Sequence, residues 1–279
     1  MLNSGTAKVS SIGAQGGFTL IELVVAMACG LVVMVAATTV LVVTMQQSQR
    51  TFTRVDATRQ ARTALAKLDN ELHSACVNGA PPIQGVTASG TVESDDNNLV
   101  FVSYYGTSDT PQAVWHDIAF DASARTLVDT VYSATYISSS TGSSWTASGT
   151  PTTTTLLSNV SQLPDGTPVF RYFAYKSYAD SSGNLYWVVP DGANLDPLTG
   201  AQLPPLPLST SGGLATADAH DAVEVNISML VGPTSQNLNN TTLSATLGAP
   251  VTETISLRLT TPPDFIPAGS SASSYGPCQ

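Results

Sequence analysis

The sequence predicts an α+β protein, in which one long N-terminal helix precedes a mainly antiparallel β-sheet region. Residues 18–77 contain no proline and only one glycine, Gly30, so a single helix can run through most of them. Residues 80–279 consist of short apolar runs separated by turn-forming residues, a pattern typical of strands. A chain of 279 residues is long enough to bury a sizeable core.

The chain is poor in charge and acidic. Only 11% of its residues are charged, against about 25% in an ordinary soluble domain. Ten Lys and Arg residues face 20 Asp and Glu residues, for a net charge of −10. Nucleic-acid binding needs clustered cations to neutralise phosphates, so this balance makes a nucleic-acid partner unfavourable.

The first part of the helix, residues 18–45, is almost wholly apolar. Its 28 residues make about 42 Å of helix, longer than the roughly 30 Å hydrocarbon core of a bilayer. Residues 1–17 form a polar leader without an apolar stretch of its own, unlike a secretory signal peptide. A cut after Gly17 would therefore leave the membrane-spanning helix on the mature chain.

Glu22 is the only ionisable side chain between Phe18 and Gln49. A carboxylate deep in a bilayer costs about 2.5–3.5 kcal/mol, so such a residue usually has a partner or a task. The alternative is that Glu22 lies near the headgroups and reaches water. The residues around Glu22 distinguish a carboxylate with a partner or a task from one that reaches water.

The run Gly17-Phe18-Thr19-Leu20-Ile21-Glu22 resembles the prepilin cleavage motif of type IV pilins and of type II secretion pseudopilins. The resemblance implies that a prepilin peptidase cuts between Gly17 and Phe18 and methylates the new amine of Phe18. It also implies that Glu22 pairs with the terminal amine of a neighbouring subunit during assembly. Where type IV pilins often carry a proline in this helix, this chain has Thr38-Thr39.

The second part of the helix, residues 46–79, is amphipathic and is expected to end near Asn78-Gly79. Its apolar positions recur at spacings of three and four, as one helix face requires: Ala61, Leu65, Leu68, Leu72 and Ala75. Five basic residues face three acidic ones between residues 46 and 76, which we interpret as a solvated face or as contacts to acidic neighbours.

The globular region, residues 80–279, is expected to hold seven strands. They are Leu99–Tyr105, Val114–Phe120, Thr126–Ile137, Val169–Tyr175, Leu185–Val189, Ala222–Val231 and Thr252–Thr260. Alternation in the last two predicts a sheet with one buried side, on which the Leu65, Leu68 and Leu72 ridge packs. Residues 138–155 include 13 Ser or Thr and are expected to form an exposed loop or a hairpin extension.

Three runs in this region resemble the C-terminal strands of PilW-like minor pilins and of the J-type minor pseudopilin: LLSNVSQLPDGTPVFRYFAY, DAVEVNISMLVG and TETISLRLTTPP. Those families usually finish the last strand with Leu-Arg-Asn, whereas here Arg258 is followed by Leu259 and Thr260. The resemblance implies a pilin-like fold and a minor subunit of either a type IV pilus or a type II secretion system.

The three cysteines, Cys29, Cys76 and Cys278, are too few and too scattered for a zinc site or a disulfide framework. Cys29 is read as a small buried apolar residue. A membrane anchor would place the globular region in an oxidising exterior, so we expect a Cys76–Cys278 disulfide, with two free thiols as the alternative.

The residues Asp191, Asn194 and Asp196 form a weak candidate calcium loop, since they place several oxygen atoms close together. The same residues also spell an ordinary turn, and no cofactor is expected. The pairs His116-Asp117 and His220-Asp221 come without any hydrolase or metalloprotease motif, so we expect surface residues and no enzyme.

The sequence therefore predicts a minor pilin, a structural subunit that helps to initiate a type IV pilus at or near its tip. A minor pseudopilin of type II secretion is the alternative, and a tip adhesion module is a third. The expected partners are the major pilin, other minor pilins, the prepilin peptidase and the inner-membrane assembly platform. The chain is expected to cross the inner membrane once, with its C-terminal region outside, before it enters the extracellular filament.

Overall fold

The computed structural model describes residues 19–75, 83–85, 93–105, 112–139, 142–232 and 248–257. The chain divides into two compact units after Thr51, and each is described by itself. The long helix α1, Leu20–His73, contributes to both.

In the first unit, the helix residues 20–51 are all exposed, including every large apolar side chain. The hydroxyl groups of Thr38 and Thr39 donate back to the carbonyls of Val35 and Ala36 at 2.9 and 2.8 Å. A threonine bonded in this way exposes no unpaired donor, which an apolar surrounding would penalise. The apolar part of α1 thus stays helical through its two central threonines.

In the second unit, one face of α1 is buried, and it is the face that the apolar spacing predicts. The buried side chains are Ala57, Ala61, Ala64, Leu65, Leu68 and Leu72. The helix ends at His73 rather than near Asn78-Gly79. There the hydroxyl of Ser74 donates to the Glu71 carbonyl at 2.7 Å, and Ala75 forms a β-bridge with Ser103. The first strand therefore captures the chain before another helical turn can form.

The first sheet is an antiparallel meander of four strands in the order β1-β2-β3-β4. Its strands are β1 Asn98–Tyr105, β2 Gln112–Asp121, β3 Thr126–Ser139 and β4 Gly142–Ser158. Strand β4 covers most of the Ser/Thr-rich segment and pairs with β3 throughout its length. Of the two forms expected for this segment, the structure has the hairpin extension.

The second sheet is centred on a strand near the C-terminus. Its members are β5 Val160–Ser161, β6 Phe170–Ala174, β9 Ala222–Val231 and β10 Ala249–Ser256. Strand β9 pairs with β10 along one edge and with β5 and β6 along the other, always antiparallel. Between β6 and β9 lie the hairpin β7 Lys176–Ala179 and β8 Leu185–Val188 and the short helix α2, Thr216–Asp221. The predicted strand Val169–Tyr175 corresponds to β6, and the chain then continues into β7, the first strand of the separate hairpin.

The main core joins the buried face of α1 to both sheets. It includes Leu65, Leu68 and Leu72 from the helix, Leu99, Phe101 and Ile118 from the first sheet, and Tyr172, Ile227 and Met229 from the second. A smaller aromatic core lies on the other face of the first sheet, around Val102, Trp115 and Trp145. The expected contact between the leucine ridge and the sheet is confirmed.

The expectation of one buried side is wrong for β9, because all ten of its residues are buried. Its polar side chains bond to one another and to neighbouring strands. Asn226 accepts from Arg171 Nη2 at 2.7 Å and donates to Thr254 Oγ1 at 2.8 Å, and Ser228 donates to Asn226 at 2.9 Å. Burial of this face is tolerated since most of its polar atoms have partners.

The ridge makes a direct prediction about stability. We expect Leu68→Ala to lower the free energy of unfolding by about 2–5 kcal/mol, because Leu68 is 3% exposed and its removal leaves a cavity between helix and sheet. Ala66→Ser, on the exposed face of the same helix, should change it by less than about 0.5 kcal/mol. Urea unfolding of the full chain in detergent, followed by tryptophan fluorescence, measures both, and equal effects would contradict the packing.

Candidate functional site

The start of α1 is organised by Thr19. Its hydroxyl accepts from the backbone N–H of Glu22 at 3.3 Å, and its carbonyl accepts from the N–H of Leu23 at 3.2 Å. Thr19 is therefore the N-cap, and Glu22 occupies the third helical position, where a carboxylate complements the positive end of the helix dipole. The spacing Thr-x-x-Glu is the sequence signal from which this cap could have been predicted.

Glu22 itself is exposed, among exposed apolar neighbours. Leu20 and Ile21 are 82% and 73% exposed, and Leu23 is 51% exposed. In the described part of the first unit no basic side chain precedes Arg50, so any cation that pairs with Glu22 must come from outside residues 19–49. The carboxylate of Glu22 thus has no cationic partner within residues 19–49.

A second arrangement of functional groups is buried between α1 and the first sheet. The imidazole of His116 on β2 has its Nε2 3.1 Å from Ser103 Oγ on β1 and its Nδ1 3.1 Å from Asp129 Oδ1 on β3. The ring also stacks on Phe101, with centroids 4.9 Å apart. Ser103, His116 and Asp129 are each no more than 5% exposed, so water reaches none of them freely.

The helix completes this network with two charged side chains. Lys67 Nζ lies 3.8 Å from Asp129 Oδ2, and Glu71 Oε2 lies 3.4 Å from Ser103 Oγ and 3.7 Å from His116 Nε2. Buried charges are tolerated when they are paired and hydrogen-bonded. The network fixes the rotation of α1 on the sheet, because a turned helix would leave Asp129 without its cation.

The expectation that His116 is a surface residue paired with Asp117 is wrong. Successive strand residues point to opposite faces, so His116 points towards the helix while Asp117 points away. The contacts run from Ser103 through His116 to Asp129, as in the triads of hydrolases, but Ser103 is only 1% exposed, and the Glu71 carboxylate lies against its hydroxyl. No local sequence signal links these three residues, which lie 13 positions apart in the chain.

The polar face of β9 holds a carboxylate with an unusual pKa. Glu224 is 5% exposed, and its Oε1 is buried without a hydrogen-bond partner among the described residues. Burial, and secondarily the charge of Asp191, raise the pKa of Glu224 to about 7. In the segment that precedes β1, burial and the nearby Asp117 likewise raise the pKa of Glu93 to about 7.

The candidate calcium loop is a pair of turns in the structure. Asp191 Oδ1 accepts from the N–H groups of Ala193 and Asn194 at 2.9 and 3.0 Å. Asp196 Oδ1 accepts from the N–H of Leu198, and its Oδ2 accepts from Thr199 Oγ1, both at 2.8 Å. Within the described ranges no three acidic, histidine or cysteine side chains converge as metal ligands.

Several predicted site residues lie outside the described residues: Gly17, Phe18, Cys76 and Cys278. The cleavage site and the Cys76–Cys278 disulfide therefore stay predictions. Cys29 is exposed on the apolar part of α1 and is a free thiol, whereas a buried position was expected.

Residues 12–38 match the family model described as the prokaryotic N-terminal methylation motif. The matched segment contains the capped helix start and Glu22. The chain is therefore type IV prepilin-like. Comparisons with curated proteins and with solved structures found no match.

The type IV pilins and pseudopilins that carry this motif are structural subunits, and they associate with a membrane and an assembly machinery. The prepilin-like chain has one helix within the described residues, Leu20–His73, that is long and apolar enough to cross a membrane. Its helix-first order and antiparallel sheets agree with a pilin-like α+β fold.

The buried network predicts a large loss of stability when Asp129 is removed. Asp129→Ala leaves His116 Nδ1 buried without its partner, which costs about 1–3 kcal/mol, and it also removes the partner of the half-exposed Lys67. Glu253→Ala removes an exposed carboxylate from β10 and should cost less than about 1 kcal/mol. Denaturant titration compares the two variants, and similar midpoints would show that the network does not hold the helix.

The raised pKa of Glu224 predicts a pH dependence. Its pKa is about 7 in the folded protein against an ordinary 4.5, so the folded state binds the proton more tightly, and stability falls as the pH rises between these values. We expect the unfolding temperature of Glu224→Gln to decline less between pH 5 and pH 8 than that of the unsubstituted chain. Glu253→Gln is the matched control and should keep the original slope. Parallel curves for all three proteins would exclude Glu224 as a cause.

Proposed function

We propose that this chain is a minor pilin, a structural subunit that helps to initiate a type IV pilus at or near its tip. The proposal rests above all on Glu22, a lone carboxylate at the capped start of an exposed apolar helix. A prepilin peptidase would cut between Gly17 and Phe18 and methylate the Phe18 amine. Glu22 would then pair with the terminal amine of a neighbouring subunit.

Physical chemistry supports such a contact. A carboxylate and an amine in a surrounding of low dielectric constant attract strongly, and leaving either unpaired there is costly. One charge pair among otherwise non-directional apolar contacts would set the axial register between subunits. The partners would be the major pilin, other minor pilins and the inner-membrane assembly platform.

The length of the globular region favours a minor over a major subunit, because major pilins are usually much shorter. A minor pseudopilin of type II secretion is the second candidate, since the three C-terminal runs resemble both. Deletion of the chain separates the two: loss of surface pili with normal exoprotein secretion supports the pilin, and the reverse result supports the pseudopilin.

Substitution of Glu22 tests the assembly contact. We expect Glu22→Ala and Glu22→Gln to be processed normally but to enter the filament at least about tenfold less, because the Phe18 amine of the neighbour loses its counter-charge. Asp56→Asn removes an acidic group from the same helix outside the apolar part and should leave incorporation unchanged.

Immunoblots of sheared filaments, normalised to processed protein in the membrane, give the measurement. Normal incorporation of both Glu22 variants would refute the proposed contact. Reduced processing would be seen as a larger band and would place Glu22 in peptidase recognition instead.

A further inference from the structure

The face of α1 opposite to the buried ridge carries two unpaired arginines. Arg59 and Arg62 are exposed, and among the described residues neither guanidinium has an ion-pair or hydrogen-bond partner. Val55, one turn before Arg59, is 61% exposed. An arginine that has no partner among the described residues can bind a carboxylate of another molecule through two parallel hydrogen bonds.

Two shallow grooves border these arginines. One, of about 630 Å³, is lined by Arg54, Val55, Thr58, Arg59, Arg62, Thr63 and Ala66. The other, of about 500 Å³, lies between α1 and strand β4, beside Thr154 and Thr155, and shares Arg59 and Thr63 with the first. We call Val55, Arg59, Arg62, Thr63 and Ala66 the arginine surface. It is a continuous open face with cationic, hydroxyl and small apolar groups.

The complementary charge lies in the same chain, on loops of the sheet region. Asp121 and Asp165 are exposed, Asp180 and Asp196 are partly exposed, and none of the four forms an ion pair within the described residues. Hydrogen bonds from nearby hydroxyl, amide or backbone N–H groups lower the pKa of each, so these carboxylates are ionised at neutral pH. After residue 76 the sequence has 16 acidic and 4 basic residues, so a second copy offers an acidic surface.

A lipid surface fits the arginine surface less well. Binding to anionic lipids typically takes clusters of four to eight cations, at about 1 kcal/mol each. Of the four cations that line the two grooves, Lys67 pairs with Asp129 and Arg54 has a partner within the chain, which leaves Arg59 and Arg62. Asp56 and Asp69 on the same helix reduce the local charge further. Two arginines that flank grooves suit the recognition of a few placed carboxylates better.

We propose that the arginine surface binds exposed carboxylates on the sheet region of a second copy of this chain. The two patches differ, so the contact is heterologous, and repetition of such a contact builds a ring or an open filament. The inference goes beyond the proposed function, whose partners are other pilins, because it adds a contact between two copies of this chain outside the apolar helix.

The test uses two differently tagged full-length copies in membranes of a host without other pilins. A photo-crosslinking amino acid at Ala66 reports contacts of the arginine surface. We expect a crosslinked pair with twice the mass of the chain, and its yield should fall about tenfold in Arg59→Glu/Arg62→Glu and also with 0.5 M NaCl. The single variant Arg62→Glu is also made. Its control is Lys176→Glu, which makes the same charge change at another exposed site.

Mass spectrometry of the crosslinked peptide identifies the contacted segment. A crosslinked peptide that contains one of the four aspartates supports the proposal. That aspartate is then changed to arginine in one copy, with Arg59→Glu/Arg62→Glu in the other copy, and recovery of the crosslinking yield also supports it. A yield that does not respond to charge reversal, or a crosslink to lipid alone, overturns it. These results are independent of filament entry by the Glu22 variants, so the inference and the proposed function can fail separately.

Discussion

The second unit depends on one contact, the burial of a ridge of small and branched apolar side chains of α1 against both sheets. Ala57, Ala61 and Ala64 are buried together with Leu65, Leu68 and Leu72. These side chains and buried side chains of both sheets form one continuous apolar core.

Apolar packing alone would allow the helix to slide or rotate, and the buried polar network restricts both movements. Lys67 and Glu71 are one helical turn apart and meet Asp129, His116 and Ser103 on three adjacent strands. Each member has a charged or hydrogen-bonding partner at a defined distance. Small displacements of α1 would leave charges buried without a partner, so the polar network gives the interface its specificity while the ridge gives it most of its stability.

Periodicity and short motifs predicted the parts of the fold that depend on residues close together in the chain. The helix, its ridge and most strands follow from periodicity, and the prepilin-like start follows from six consecutive residues. The sequence did not reveal that β9 is covered on both faces or that His116 is buried, because both depend on segments far away in the chain. Cross-strand partners such as His116 and Asp129 leave no mark in a single sequence, whereas the cap formed by Thr19 did leave one in the spacing to Glu22.

The central position of β9 has a consequence for the order of events during synthesis. The ridge is complete once residue 72 has been made, but the strand that covers it in the second sheet begins at Ala222. At about 5–20 residues per second, the ribosome needs roughly 8–30 s to reach that strand. Throughout this interval the leucines can pack only on earlier segments such as the first sheet, so the side of the core that β9 covers stays open until late in synthesis.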